Sequence, residues 1–294
     1  MDKELCLVSA SSGLDSTLTL CVLSLSGYKS ITACHFCYNH RGENAEKLAI
    51  KNICNKLKIP LKIFDLTNLY KEIDNESMLT DPNCEITTGT SKGLKQLDAW
   101  CNGRNMMFMS VMASYAESQV MKFNYNKVYL LGGFLSLTES GIFPDNSEAF
   151  LNSCLEMFKY GTLIGNRIAP LFCLSNIMKH ELFVLIKELH LESIYKHTIS
   201  CDRPKTVEGV TYNCEKDGIP ACGSGLLSYW GSKMVGMNDM ELRNFYEVDD
   251  PSYEAFIPEH LKQNFTKSPD INDIINRILL PEDKLENLRK LIKK

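Results

Sequence analysis

The apolar residues of the first third of the chain come in short unbroken runs separated by longer amphipathic stretches. Leu5 to Ala10 is such a run, and it predicts a strand buried on both faces. A Ser/Gly loop follows, then a helix from about Asp15 to Ser26 that Gly27 stops. Ile31 to Tyr38 predicts a second strand. Glu43 to Leu57 carries Ala45, Leu48, Ala49, Ile53 and Leu57 along one helical face, and Pro60 ends it before a third strand at Leu61 to Leu66. Two successive strand-helix-strand crossovers predict an α/β fold: a doubly wound parallel sheet with helices on its faces.

The pattern breaks from Thr67 to Ala99, a polar stretch containing Pro82, Gly89 and Gly93, which reads as a lid or binding loop. It resumes with a Met-rich helix, Arg104 to Gln119, and a strand, Lys127 to Leu131, left through Gly132-Gly133. Helices are expected over Asn146 to Lys159 and Asn176 to Leu189. Beyond Cys201, glycines 209, 218, 223 and 225 interrupt any period before a helix near Leu226 to Met237. Asp249-Asp250-Pro251 marks a turn, and Pro281 to Lys294 forms an amphipathic helix with Leu285, Leu288, Leu291 and Ile292 on one side, a helical C-terminal extension. No internal repeat is visible.

Composition narrows the classes. With 44% hydrophobic and 23% charged residues the chain is globular, neither disordered nor fibrous. A net charge of -4 argues against a chain built around a nucleic acid duplex or an anionic membrane, but leaves small anionic substrates open. Leu5 to Ala10 is too short, and its flank too acidic, for a signal peptide, and no stretch approaches the roughly 18 apolar residues of a membrane span. A cytoplasmic protein is expected. Most of the 12 cysteines sit within apolar runs, where a reduced thiol acts as a small hydrophobe; Cys201, Cys214 and Cys222 do not.

The loop Ser11-Ser12-Gly13-Leu14-Asp15-Ser16-Thr17 joins the first strand to the first helix. Such a loop presents unpaired amides at the positive end of a helix dipole, and here four hydroxyls as well, which makes an anion site. It lacks the Gly-Lys-Ser/Thr ending of a Walker A motif and is not G-x-G-x-x-G. The competing reading is a plain helix cap with Asp15 or Ser12 as N-cap.

The loop resembles the S-G-G-x-D-S-T signature of PP-loop ATP pyrophosphatases, with Ser12 in place of the first glycine. Tyr38-Asn39-His40-Arg41, Asn102-Gly103-Arg104-Asn105-Met106-Met107-Phe108 and Gly141-Ile142-Phe143-Pro144-Asp145 follow in the order of the Y-G-Q-R, P-G-R-N-x-x-F and S-G-Y-P-D segments of the 7-cyano-7-deazaguanine synthase (QueC) family. The likeness covers about residues 5 to 225, and Asp250-Pro251-Ser252-Tyr253 is similar to a D-P-T-x-Y segment of some members. It implies a PP-loop, adenine nucleotide α-hydrolase-like domain over 1–200 and a cysteine-containing segment with the helical extension over 201–294. ATP would be bound by Ser9, Ser11, Ser12, Gly13, Leu14, Asp15, Ser16 and Thr17, with Mg²⁺ near Asp15. Asp15, Ser16, Arg104 and Lys179 are the expected catalytic set. Tyr38, His40, Arg41, Arg104, Asn105, Phe143 and Asp145 are the expected substrate set. Asn105 and Asp145 have a competing reading as helix caps, and His40, Arg41 and Lys179 as solvated surface charges.

The family's zinc site is a T-x-S-C followed by C-G-x-C-x-x-C. Thr198-Ile199-Ser200-Cys201 and Cys222-Gly223-Ser224 match, but Gly225 and Ser228 stand where two ligands belong. Cys201, Cys214 and Cys222, with a fourth ligand such as His197, are the alternative zinc set; three ordinary cysteines are the other reading.

The resemblance implies ATP-dependent adenylation of the carboxylate of 7-carboxy-7-deazaguanine followed by joining to nitrogen, the queuosine-pathway reaction. Ammonia would give the amide and then the nitrile; a protein amine, in an antiviral-defence setting, would give a conjugate. It also implies a homodimer. The rival readings are another PP-loop amidotransferase or tRNA-modifying adenylase, and a non-catalytic module that senses a nucleotide or deazapurine.

Overall fold

A computed structural model describes residues 3–73, 77, 79–81, 100–133, 145, 147–249 and 269–292. In chain order come β1 (Glu4–Ser9), α1 (Leu14–Leu25), β2 (Ile31–Cys37), α2 (Glu43–Leu57), β3 (Leu61–Asp65), α3 (Thr67–Glu72), α4 (Arg104–Phe123), β4 (Lys127–Leu131), α5 (Glu148–Gly161), β5 (Ile168–Pro170), α6 (Lys179–Glu188) and α7 (Glu192–Tyr195). The five strands form one parallel sheet in the order β3-β2-β1-β4-β5, with Val8 of β1 between Ala33 of β2 and Leu131 of β4.

Strand alternation divides the core in two. Cys6, Val8, Tyr129 and Leu131 point to one face, where α1, α2 and α6 cover them. Leu5, Leu7, Val128 and Leu130 point to the other, against α4 and α5. A strand buried on both faces must be apolar throughout, which is why Leu5 to Val8 shows no polar alternation. The winding reverses between β1 and β4, so their carboxyl ends open a crevice of the kind in which α/β ligands bind.

Several boundaries differ from the expected ones. α4 runs on to Phe123, because Val120 is still buried, and it closes at Asn124 in the left-handed conformation. The helices expected from Asn146 and Asn176 begin at Glu148 and Lys179. Ser147 Oγ accepts the Phe150 amide at 3.1 Å and caps the first, and the Glu181 carboxylate accepts the Met178 amide at 2.9 Å at the start of the second. Within the polar stretch from Thr67, a short helix, α3, buries Tyr70; most of that stretch, and Asp250 to Tyr253, lie outside the described residues.

After α7 the chain builds a small sheet that the glycine-broken pattern did not suggest. β6 (Lys205–Val207) and β7 (Val210–Lys216) are antiparallel, β8 (Ile219–Pro220) pairs antiparallel with β7, α8 (Gly223–Met234) and α9 (Asp239–Leu242) follow, and β9 (Phe245–Glu247) runs parallel to β7. Both hairpin turns, Glu208-Gly209 and Asp217-Gly218, have positive φ at both residues (47° and 78°, 51° and 75°), the twist a two-residue hairpin needs. Two final helices, α10 (Ile271–Arg277) and α11 (Glu282–Ile292), return to the first core, where Ile274, Ile275, Leu285 and Leu288 are buried beside α1 and α6.

Candidate active site

The chain leaves β1 through Ala10 and Ser11 and enters α1 with Gly13 as N-cap; no side chain caps the helix, so neither Asp15 nor Ser12 has the capping role. The first-turn amides are left for a ligand. Ser12 has φ 82°, a left-handed conformation that costs a side-chain-bearing residue on the order of 1 kcal/mol. Its carbonyl accepts the Ile199 amide at 3.1 Å, and its side chain is fully buried. The buried hydroxyls of Ser12 and Thr17 have no hydrogen-bond partner among the described residues.

Across the loop stands the start of α6. Lys179 Nζ donates to Asp15 Oδ1 at 2.5 Å, a contact between residues 164 apart that neither motif alone reveals. The Glu181 carboxylate that holds the Met178 amide is gripped in turn by Arg277 of α10, whose guanidinium also donates to the Asn176 carbonyl at 2.9 Å. The C-terminal helices therefore orient the lysine's helix.

Gly132-Gly133 leaves β4 beside the loop. A Cβ on Gly133 would lie 2.7 Å from the Ser16 amide nitrogen and 3.1 Å from Asp15 Cβ, so only glycine permits this approach. The glycine pair signals an exit from the strand in the sequence; that it presses on the loop follows from β1 and β4 being neighbours.

The facing wall comes from β2, the turn after it, and α4. Glu43 Oε2 accepts the amides of Tyr38 and Asn39 at 2.9 and 2.7 Å, which fixes the turn. Tyr38 stacks on His40 with ring centroids 4.5 Å apart and packs on Phe108 of α4 at 5.6 Å. One turn before Phe108, Arg104 Nη1 donates to the Tyr38 hydroxyl at 3.4 Å. Burial works against the Arg104 charge, but Tyr38, Cys101 and Asp145 outweigh it and raise its pKa, so it stays a cation. Arg41 donates to the Asp81 carbonyl at 2.5 Å.

These pieces line one cleft of about 400 Å³, a volume ordinary for a small-molecule site. Ser9, Ser11, Gly13, Leu14, Asp15 and Ser16 border it on the loop side, and Tyr38, His40, Arg41, Arg104, Asn105 and Lys179 also face it. Asp145 is not on this wall. Its carbonyl accepts Asn105 Nδ2 at 3.4 Å, and burial raises its carboxyl pKa. It does not cap α5, which Ser147 does, nor does Asn105 cap α4, whose N-cap is Gly103. Phe143 lies outside the described residues.

His35, Glu46 and Ser200 are among the polar cleft residues that the sequence reading gave no role. His35 lies on β2 with Nδ1 2.9 Å from the Ala10 carbonyl, which makes Nδ1 the protonated nitrogen. Burial lowers its pKa. Glu46 of α2 reaches in from the next turn, and burial pushes its carboxyl up to about 8 against the opposing pull of Arg104. Ser200 stands beside Cys201 on the far rim. A strand histidine flanked by cysteine and phenylalanine reads as core, and Glu46 reads as one more polar helix position.

Cys201, Cys214 and Cys222 converge behind that rim, their sulfurs within 4.8 Å of one another and the first two 3.4 Å apart. Burial raises the pKa of the Cys201 thiol, while hydrogen bonds from Cys201 and Cys222, with Arg203, lower that of Cys214, so one thiolate is favoured within the cluster. A tetrahedral zinc with bonds of about 2.3 Å separates its sulfurs by about 3.8 Å, so the three thiols fit one ion. His197 is not part of this cluster; its ring is depressed by burial and by Lys56 and Lys196. An ideal Cβ on Gly225 would sit 3.2 Å from Cys222 Sγ, so the position without its cysteine does border the cluster.

A helix start without a side-chain cap at the switch point of a parallel sheet, with a lysine and an arginine lining the same cleft, is the arrangement of a nucleotide-using α/β protein of the PP-loop class. The chain belongs to the family described as "Queuosine biosynthesis protein QueC", whose sequence model matches residues 5–224. It is 31% identical over 247 residues to 7-cyano-7-deazaguanine synthase 2 of Sulfurisphaera tokodaii, a match covering 81% of this chain and 48% of that one. It is 29% identical over 240 residues to the 7-cyano-7-deazaguanine synthase of Campylobacter concisus (81% and 97% covered), and 31% identical over 217 residues to that of Methanosphaera stadtmanae (70% and 88%). The chain spans about half the length of the Sulfurisphaera relative and of the Sulfolobus acidocaldarius synthase, 48% and 43%. Among the described residues no helix is long and apolar enough to cross a membrane.

Proposed function

We propose that the chain is an ATP-dependent carbon-nitrogen ligase that activates the carboxylate of 7-carboxy-7-deazaguanine as its adenylate and joins it to nitrogen. The observation that carries this reading is the Asp15–Lys179 pair at the mouth of the uncapped loop, facing Arg104 across one cleft. Loop amides and the Ser11 and Ser16 hydroxyls would take the β and γ phosphates, and the α-phosphorus would then lie toward Lys179 and Arg104. Attack by a substrate carboxylate oxygen forms the new O–P bond as the α–β bridging bond breaks, and pyrophosphate leaves with its electrons. Both cations balance charge that grows on the non-bridging oxygens. Magnesium arriving with ATP would be held by Asp15 and would add to that neutralisation. Nitrogen attack on the acyl carbon then releases AMP and gives the amide; a second adenylation, on the amide oxygen, followed by loss of AMP and a proton gives the nitrile.

Mass spectrometry after incubation with ATP, Mg²⁺, 7-carboxy-7-deazaguanine and either ammonium or a primary amine tests the reading. AMP together with an amide or nitrile is the expected result. Absence of AMP with every acceptor favours a binding module, and AMP without change to the deazapurine overturns the substrate.

Zinc on Cys201, Cys214 and Cys222 belongs to the same reading, as a structural ion that fixes the small sheet to the cleft rim through Ile199 and Ser200. Purified protein should carry about one zinc per chain, and Cys214→Ser should lower that content and the melting temperature together. Elemental analysis that finds zinc in only a small fraction of chains refutes the site.

A further inference from the structure

The cleft also carries three groups, on β2, the turn after it and α2, to which the adenylation scheme above assigns no role. His35 is 1% exposed, and its Nδ1 faces the Ala10 carbonyl, so its buried Nε2 keeps a lone pair with no hydrogen-bond partner among the described residues. His40 Nε2 is likewise without a hydrogen bond and stands 3.8 Å from Glu46 Oε2, a gap too long for a direct bond and suited to one bridging polar atom. His35 lies near enough to His40 to contribute, after burial, to holding its pKa down at about 3, so both rings are neutral. The three side chains all border the cleft beside Arg104.

A pocket with two neutral imidazoles and one carboxyl group is rich in acceptors for N–H and does not repel a neutral nitrogen, whereas Arg104 beside it disfavours a cation. We propose that His35, His40 and Glu46 hold the incoming nitrogen nucleophile, ammonia or a primary amine, and that Glu46 accepts its proton during attack on the adenylate. The nitrogen lone pair forms the C–N bond, the bond between the acyl carbon and the AMP oxygen breaks with its electron pair on AMP, and the surplus proton on nitrogen passes to the Glu46 carboxylate. The groups facing Glu46 are Arg104 of α4, His40 of the turn and Glu43 of its own helix, and together with burial they leave it a base poised near the working range. This inference rests on the ligase reading above.

Hydroxylamine separates the two. It is largely unprotonated at neutral pH and traps acyl adenylates as hydroxamates without needing a base. In Glu46→Gln the rate with ammonium should fall about tenfold further than the rate with hydroxylamine, and Glu46→Asp should recover part of it. His40→Phe, which keeps the stack on Tyr38, should raise the apparent KM for ammonium about threefold or more, in line with one lost hydrogen bond. Running methylamine beside ammonium tells which nitrogen source the pocket takes. Equal falls with ammonium and hydroxylamine, or no fall with either, overturn the assignment. Wild-type protein that yields no AMP with any nucleophile overturns the ligase reading and this site with it, whereas normal hydroxamate formation with an unaltered ammonium rate in Glu46→Gln overturns the site alone.

Discussion

Asp15→Ala is expected to reduce pyrophosphate release by about 100-fold or more, a loss of roughly 2.7 kcal/mol of transition-state stabilisation. Asp15 sits in the first turn of α1, where an acidic residue favours the helix by only a few tenths of a kcal/mol, and its bond to Lys179 is partly exposed, with the side chains 19% and 29% accessible. Exposed pairs contribute about 0–1 kcal/mol to stability, so the fold should survive the change. The site would not. Without the carboxylate, Lys179 loses the partner that holds its Nζ beside the loop, and the released ammonium can lie on the phosphates in any of several poses. Ground-state attraction for ATP then persists while alignment at the α-phosphorus is lost. The effect should therefore appear in kcat, with KM for ATP changed little. Steady-state kinetics with a coupled pyrophosphate assay, alongside a thermal melt that differs by only a few degrees, checks both halves. Undiminished turnover would remove the loop from the chemistry.

How far the sequence alone carries this account depends on whether a feature is local. The central sheet was legible because β1 and β2 are apolar runs, α1 is apolar along most of its length and α2 is amphipathic, and these signals are written within a few residues. The loop reads as an anion site in the sequence; the structure shows a helix start without a side-chain cap, and Tyr38, His40, Arg41, Arg104, Asn105 and Lys179 line the same cleft as the loop. What could not be read was contact across the sheet. Gly133 meets the loop because β4 neighbours β1 in space, the Asp15–Lys179 bond joins residues 164 apart, and Arg277 reaches Glu181 from a helix that packs back from late in the chain. The small sheet was missed for another reason: Asp217-Gly218 is a strong hairpin dipeptide, but β8 after it is two residues long and β7 before it is polar and largely half-buried, so the glycines read as interruptions of a period and not as turns. The cysteine cluster follows from that sheet, since the β7 strand carries Cys214 to the other two.

Gly133→Ala tests whether close approach, beyond residue chemistry, sets the loop. The added methyl carbon would stand 2.7 Å from the Ser16 nitrogen and 3.1 Å from both Ser16 Cα and Asp15 Cβ. Two of those three atoms are backbone at a helix start, so nothing can swing aside as a flexible side chain would. Either α1 shifts as a unit, which strains its buried face of Leu14, Leu18 and Cys21, or the β4 exit moves away from the loop. Overpacking of this kind costs about 1–3 kcal/mol, and a shift of the reacting geometry by about 1 Å can cost about 100-fold in rate. The methyl would also cover the Ser16 amide, one of the donors proposed for phosphate, so KM for ATP should rise as well as kcat fall. That combination distinguishes it from Asp15→Ala, whose loss falls on kcat alone. Gly161→Ala is the matched control, because among the described residues no atom beyond its own helix backbone and chain neighbours lies within 4 Å of the carbon it adds, at a helix end that does not line the cleft. Melting curves and pyrophosphate kinetics on the two variants should separate widely. If Gly133→Ala melts and turns over like the control, the loop is positioned by its own hydrogen bonds and the glycine is only a strand exit.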